Sequence, residues 1–140
     1  MIYFELNELN RENLYRKSQS MIEYLCDKYA VGDQRGVIEM ANQNIIEHIL
    51  SDSADFTIDL NAHVENNVLV FAYSADQPVF RFLENLTPEL QEDNVWCVLI
   101  DDYTLSDDLQ SFTISFYVKP HQTVSKRTFQ QVMQTKETYL

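Results

Sequence analysis

Hydrophobic positions recur at two periods along this chain, and the switches between the two mark its elements. The longest regular stretch is residues 33–50, DQRGVIEMANQNIIEHIL, where Val37, Ile38, Ala41, Ile45 and Ile49 fall on one apolar stripe at helical spacing. Asn44 and His48 stand four residues apart along the edge of that stripe, so their side chains point the same way. A buried or half-buried Asn or His without a hydrogen-bond partner costs roughly 1–3 kcal/mol. This edge must therefore face something polar: a ligand, water, or a loop of the same chain.

The other elements follow in order. Ile2, Phe4 and Leu6 alternate with Tyr3 and Glu5, which predicts a strand over residues 1–6. Asn7 or Asn10 can cap a helix that runs to about residue 29, with Leu14, Met21, Leu25 and Tyr29 along one side, until Val31-Gly32-Asp33 breaks it. After the central helix, Ser51-Asp52-Ser53 reads as a turn, and Phe56, Ile58 and Leu60 alternate with polar residues. Glu65-Asn66-Asn67 is a turn signal that joins this strand to residues 68–73 as a hairpin. Residues 74–78 leave the sheet, and residues 79–86 and 88–93 lead to a helix over 95–102. A strand begins at 103–106, Asp107-Asp108 turns, and residues 111–118 alternate most cleanly of all, with Phe112, Ile114, Phe116 and Val118 on one face. Pro120 stops that strand, and Ser125 is the N-cap of a last helix carrying Phe129, Val132, Met133 and Lys136. Strand pairs with tight turns, and helices gathered on one face, predict a two-layer α/β sandwich with a mixed, mostly antiparallel sheet. A C-terminal helix is added to it, so residues 1–118 form the domain and 119–140 its extension.

Composition changes this picture little. The chain has 140 residues, 45% of them hydrophobic, enough for one domain with its own core. No apolar run approaches the ~20 residues of a membrane span, and the acidic N-terminus is unlike a secretory signal. Cys26 and Cys97 sit inside apolar patterns, without a second Cys at metal-ligand spacing, and read as reduced core thiols of a cytoplasmic protein. Charge says more. The net value of −12 argues against a nucleic-acid surface. Lys119, Lys126, Arg127 and Lys136 face only Glu137 in the last 22 residues, so the tail carries about +3 and residues 1–118 about −15. Such a tail either folds back on the acidic body, the favoured reading, or reaches a second subunit or partner.

The element order, with the segment MANQNIIEHI, the hairpin FTIDLNAHVENNVLVFAYS and the closing WCVLIDDYTLSDDLQSFTISFYV, resembles the ATP-binding fold of the GHKL superfamily of histidine-kinase and gyrase-type ATPases. The small anti-sigma-factor serine kinases are the branch it is most similar to. The resemblance implies that Asn44 occupies the place of the family's magnesium-holding Asn, and His48 that of the His that often follows it. The family's acidic residue four positions earlier falls on Met40, which cannot take a proton, and Glu39 next to it is turned by about 100°. The Asp-x-Gly-x-Gly segment after the hairpin falls on Ser74-Ala75-Asp76-Gln77-Pro78, without either glycine, and Asp76 fits the adenine-reading role only with a two-residue shift. Where a glycine-rich lid would cradle phosphates through backbone N–H groups, the chain has Glu92-Asp93-Asn94, whose carboxylates repel a triphosphate. The only glycines, Gly32 and Gly36, precede or open the central helix.

Two functions are expected from this. The first is a non-catalytic cytoplasmic regulator or scaffold, a degenerate member of the superfamily. It needs no cofactor or metal and binds a protein partner: a sigma factor, its antagonist, or a second copy as a homodimer. The alternative is an ATP-dependent serine kinase with an unusual site, using Asn44 for magnesium, Asp76 for adenine, His48 beside them, and Glu39 or Glu47 as base. A third reading is an acidic binding module with no ATPase ancestry. His48, His63 and His121 have no metal-ligand spacing, and Asp101-Asp102 and Asp107-Asp108 read as a helix end and a turn. Trp96 either fills the space a nucleotide would take or anchors the core.

Overall fold

A computed structural model describes residues 2–29, 34–84 and 96–118. Five strands form one sheet: β1 (Ile2–Leu9), β2 (Ile58–Glu65), β3 (Val68–Ala75), β4 (Asp102–Leu105) and β5 (Ser111–Tyr117). Their spatial order is β1-β2-β3-β5-β4, and every described pair is antiparallel. Helices α1 (Leu14–Tyr29) and α2 (Arg35–Asp52) pack on one face, joined by the short α3 (Trp96–Leu99) and a 3-10 turn at Arg81–Leu83. The expected two-layer α/β sandwich is the fold. The expected C-terminal helix lies outside the described residues, as do the break at 31–33 and residues 88–93.

Alternation in the strands explains the layering. Ile58, Leu60 and Ala62 of β2, Leu69, Phe71 and Tyr73 of β3, and Phe112, Ile114 and Phe116 of β5 are all buried in one core with the helices. The residues between them face the other way and are half-buried or exposed. The β2–β3 hairpin closes through Asn66 and Asn67, at φ 52° and 65°, with Glu65 directly opposite Val68. Two consecutive left-handed residues match the right-handed twist of the strands, and Asn tolerates that backbone better than other side chains do.

Several boundaries differ from the pattern, each for a local reason. β1 runs past Leu6 to Leu9 because its register slips by one residue between Leu6, opposite Leu60, and Leu9, opposite Ile58. This bulge, with Glu8 at φ 55° and its N–H donated to Asp59 Oδ1 at 2.8 Å, turns Leu9 into the core instead of away from it. Asn10 rather than Asn7 starts α1: its Oδ1 accepts from Glu12 and Asn13 N–H, and Asn13 Oδ1 accepts from Asn10 N–H. α2 continues through Ser51 and Asp52, and Arg11 donates to the carbonyls of Leu50 (2.7 Å) and Ser53 (2.9 Å) at its end. β3 extends through Ser74 to Ala75, whose N–H bonds Gln110 O, so the chain leaves the sheet later than expected. α3 ends at Leu99, short of the expected 102, because Asp102 pairs with Ser115 in β4. Val37 belongs outside the stripe, at 40% exposure, while Asn42 and Ile46 lie within it.

The two long helices are clasped at one end. Arg35, in the first turn of α2, reaches Glu39 (2.7 Å), Asp27 (3.2 Å) and Glu23 (3.3 Å). A cation at a helix N-terminus opposes the helix dipole, and the three carboxylates around Arg35 offset that. The hydrogen bond to Glu39 holds its guanidinium above even the usual arginine range.

The hairpin yields a test. Replacing Asn67 by Val puts a β-branched residue at φ 65° and should destabilise the protein by about 1–2 kcal/mol, whereas Asn67→Gly should be neutral or stabilising. Urea midpoints of the two variants separate these outcomes.

Candidate functional site

Asn44 and His48 share one flank of α2, as their spacing requires, and both are half-buried. Asn44 Oδ1 accepts the backbone N–H of Trp96 at 3.2 Å. Trp96 is the first residue of α3, where an N–H has no partner within the helix, so Asn44 acts as a cap from a different element. His48 stacks its ring on Phe82, centroids 4.8 Å apart and planes 12° from parallel. Both side chains thus meet the chain's own segments.

Trp96 is fully buried, edge-on to Phe112 and Tyr103 with both centroid distances 5.2 Å. Tyr73, Phe80 and Phe112 continue the aromatic cluster. Of the two roles open to Trp96, a core anchor between α3 and the sheet is the one these contacts describe.

Asp76 stands elsewhere, at the start of β2 rather than on the α2 flank. Its Oδ1 accepts Thr57 N–H at 2.8 Å, and its own N–H donates to Thr57 O at 3.1 Å. The two-way bond ties the end of the hairpin and engages one carboxylate oxygen. The two candidate bases are occupied as well: Glu39 by Arg35, and Glu47, on the exposed side of α2, by Gln43 Nε2 at 3.1 Å. Met40 is 53% exposed.

Asp107-Asp108 makes the expected turn, whereas Asp101-Asp102 lies beyond the end of α3, with Asp102 opening β4. Asp101 Oδ2 accepts Tyr117 N–H at 2.7 Å, and Asp102 Oδ1 accepts Tyr103 N–H at 2.8 Å. In the β4–β5 turn, the Ser106 hydroxyl and the Gln110 N–H hold the Asp108 carboxyl below the usual carboxylate range. His63 lies in β2, on the sheet face away from the helices, and His121 is outside the described residues. Among the described residues, no group of three His, Cys, Asp or Glu is placed to hold a metal ion. Cys26 is a buried free thiol that burial pushes up to about 11; the Cys97 side chain is outside what is described.

The principal polar feature of the core was not anticipated. Asn42, 2% exposed, accepts the Tyr73 hydroxyl on Oδ1 at 2.8 Å. Its Nδ2 donates to Ser18 Oγ at 2.9 Å and to Gln19 Oε1 at 3.4 Å, and Ser18 Oγ donates to Tyr15 O at 3.0 Å. No buried side-chain N or O among the described residues lacks a partner. Burial pushes the Tyr73 phenol well above its usual range, so it serves only as a hydroxyl. A signal did exist: Asn42 lies four residues from both Ile38 and Ile46, and Ser18 four from both Leu14 and Ile22, inside the apolar stripes.

Two substitutions follow. Tyr73→Phe leaves Asn42 Oδ1 buried without a donor and should cost about 1–3 kcal/mol. Asn44→Ala removes the side-chain acceptor that caps the start of α3 and should cost about 1 kcal/mol. Chemical denaturation would show the larger loss at Tyr73; the reverse order would mean that the Asn44 cap carries more of the fold than the buried bridge.

No family model matches this chain, and no curated protein matches it.

Proposed function

We propose that this chain is a non-catalytic regulatory protein that keeps a GHKL-type ATPase scaffold and works by binding another protein. The observation that supports this reading most directly is the bond from Trp96 N–H to Asn44 Oδ1. In the resemblance, Asn44 would hold the nucleotide's magnesium. Here that oxygen caps α3, and the tryptophan that opens α3 is wholly inside the core. A single neutral oxygen is a poor magnesium ligand without phosphates or carboxylates beside it. Asp76, the candidate for adenine, holds the backbone of Thr57, and the acidic position of the family is Met40.

The partner proposed by analogy with the anti-sigma branch is a sigma factor, its antagonist, or a second copy of the chain, in the cytoplasm. Among the described residues no helix is long and apolar enough to cross a membrane. Fold ancestry is a weak guide to activity, so the weight here rests on how the site residues are engaged.

Magnesium and ATP provide the test. A ligand at a hundred times its Kd stabilises the folded state by about 2.7 kcal/mol, or roughly 10 °C in Tm for a domain of this size. The expected result is an unchanged melting temperature with millimolar magnesium and ATP. A rise of several degrees, lost in Asn44→Ala, would replace this reading with the kinase.

A further inference from the structure

The sheet has two unlike faces. One is closed by α1 and α2, and the other carries the half-buried Val68, Val70 and Ala72 at its centre, on β3. Around them on the same face stand Glu5, Asp59, Glu65 and Asp102, placed there by the pairings Glu5–Asn61–Ala72, Asp59–Ser74, Glu65–Val68 and Asp102–Ser115. No Lys or Arg among the described residues lies on this face. The helical layer is also acidic, but there Arg35 sits among Glu23, Asp27 and Glu39, and Arg11, Arg16, Lys17 and Lys28 are interspersed. The sheet face is thus an apolar strip within an acidic rim.

The residues that complement it follow β5. At its end Val118 donates its N–H to Asn67 O, so the chain leaves the sheet beside the β2–β3 turn, next to Val68 and Glu65. In the 22 residues beyond, Phe129, Val132 and Met133 fall on one side at helical spacing, with Lys126 and Lys136 on that same side and Arg127 opposite. Lengths agree. Five strands span roughly 19 Å across the sheet, a helix over 125–137 is about 20 Å long, and the six residues before it reach up to about 20 Å.

We propose that residues 125–137 dock as an amphipathic helix across the open face of the sheet, Phe129, Val132 and Met133 on the Val68–Val70–Ala72 strip and the cations over the acidic rim. A second copy is disfavoured as the occupant, because two such faces bring carboxylates against carboxylates. The tail differs in sign, is attached at the edge of the face, and at an effective concentration near millimolar outcompetes most free partners. This inference requires no ATPase ancestry.

Zero-length carbodiimide coupling joins a lysine to a carboxylate only when the two touch. The full chain would be coupled as an equal mixture of 14N- and 15N-labelled protein, and the linked peptides read by mass spectrometry. Links from Lys126 or Lys136 to Glu5, Asp59, Glu65 or Asp102, within one isotope, are expected. Their yield should fall several-fold in 0.5 M salt, where the Debye length is about 4 Å, and in Val132→Asp. Links confined to Glu12 or Glu23 of the helical layer, links of mixed isotope, or no links from either lysine would each overturn the proposal. Because neither nucleotide nor partner is present, failure here leaves the Proposed function standing, and the thermal test can fail without affecting this one.

Discussion

The hydrogen bonds from Tyr73 through Asn42 to Ser18 connect β3, α2 and α1 in one line through the interior. Apolar contacts alone specify the position of α2 less sharply, since Ile, Leu and Phe accept many partners. A buried amide cannot. If α2 moves by one residue, Asn42 loses the Tyr73 hydroxyl and leaves buried polar atoms unpaired, at a cost of about 1–3 kcal/mol each. The bridge therefore selects one rotation and one translation of α2 against both the sheet and α1.

That rotation decides what the rest of α2 can do. Asn44 is about 200° around the helix from Asn42, so anchoring Asn42 over β3 turns Asn44 and His48 to the opposite flank. There they meet α3 and the 3-10 turn, and Asn44 caps the helix that Trp96 opens. Trp96 in turn stacks edgewise on Phe112 of β5 and Tyr103 of β4, which returns the chain of contacts to the sheet. Asn44 is consequently a structural acceptor within a closed circuit that runs from β3 through α2 and α3 to β5. Withdrawing it to serve a ligand would take that acceptor from the first N–H of α3.

The sequence pattern conveyed the layers well because strand alternation is local: in β2, β3 and β5 every second residue is apolar, and no distant contact is needed to see it. It failed where a distant residue decides. The end of β1 depends on a bulge against Asp59 and Leu60, and the end of α2 on Arg11, which lies 39 residues before Leu50. Val37 looks like a stripe residue, yet it lies outside the stripe, while Asn42 looks polar and is buried because Tyr73 supplies its donor. The site was legible in direction but not in partner. The four-residue spacing placed Asn44 and His48 together, but nothing in the spacing indicates that Trp96 and Phe82 are what they meet. Asp76, grouped with them by resemblance, belongs to a different corner of the fold.

The distribution of charge has the same logic as the buried bridge, at longer range. In the helical layer cations are supplied from within the described domain, Arg11 at the carbonyls that end α2 and Arg35 among the carboxylates of Glu23, Asp27 and Glu39. On the outer face of the sheet none is supplied by the described residues, although the strands there are flanked by Glu5, Asp59, Glu65 and Asp102. Two of these carboxylates, on Asp59 and Asp102, each accept a backbone N–H, but a hydrogen bond from a neutral donor leaves the charge in place. Repulsion among surface acids is weak at physiological salt, so the domain tolerates it. The same field disfavours an acidic occupant and favours a basic one, and the basic segment of this chain begins one residue after Val118.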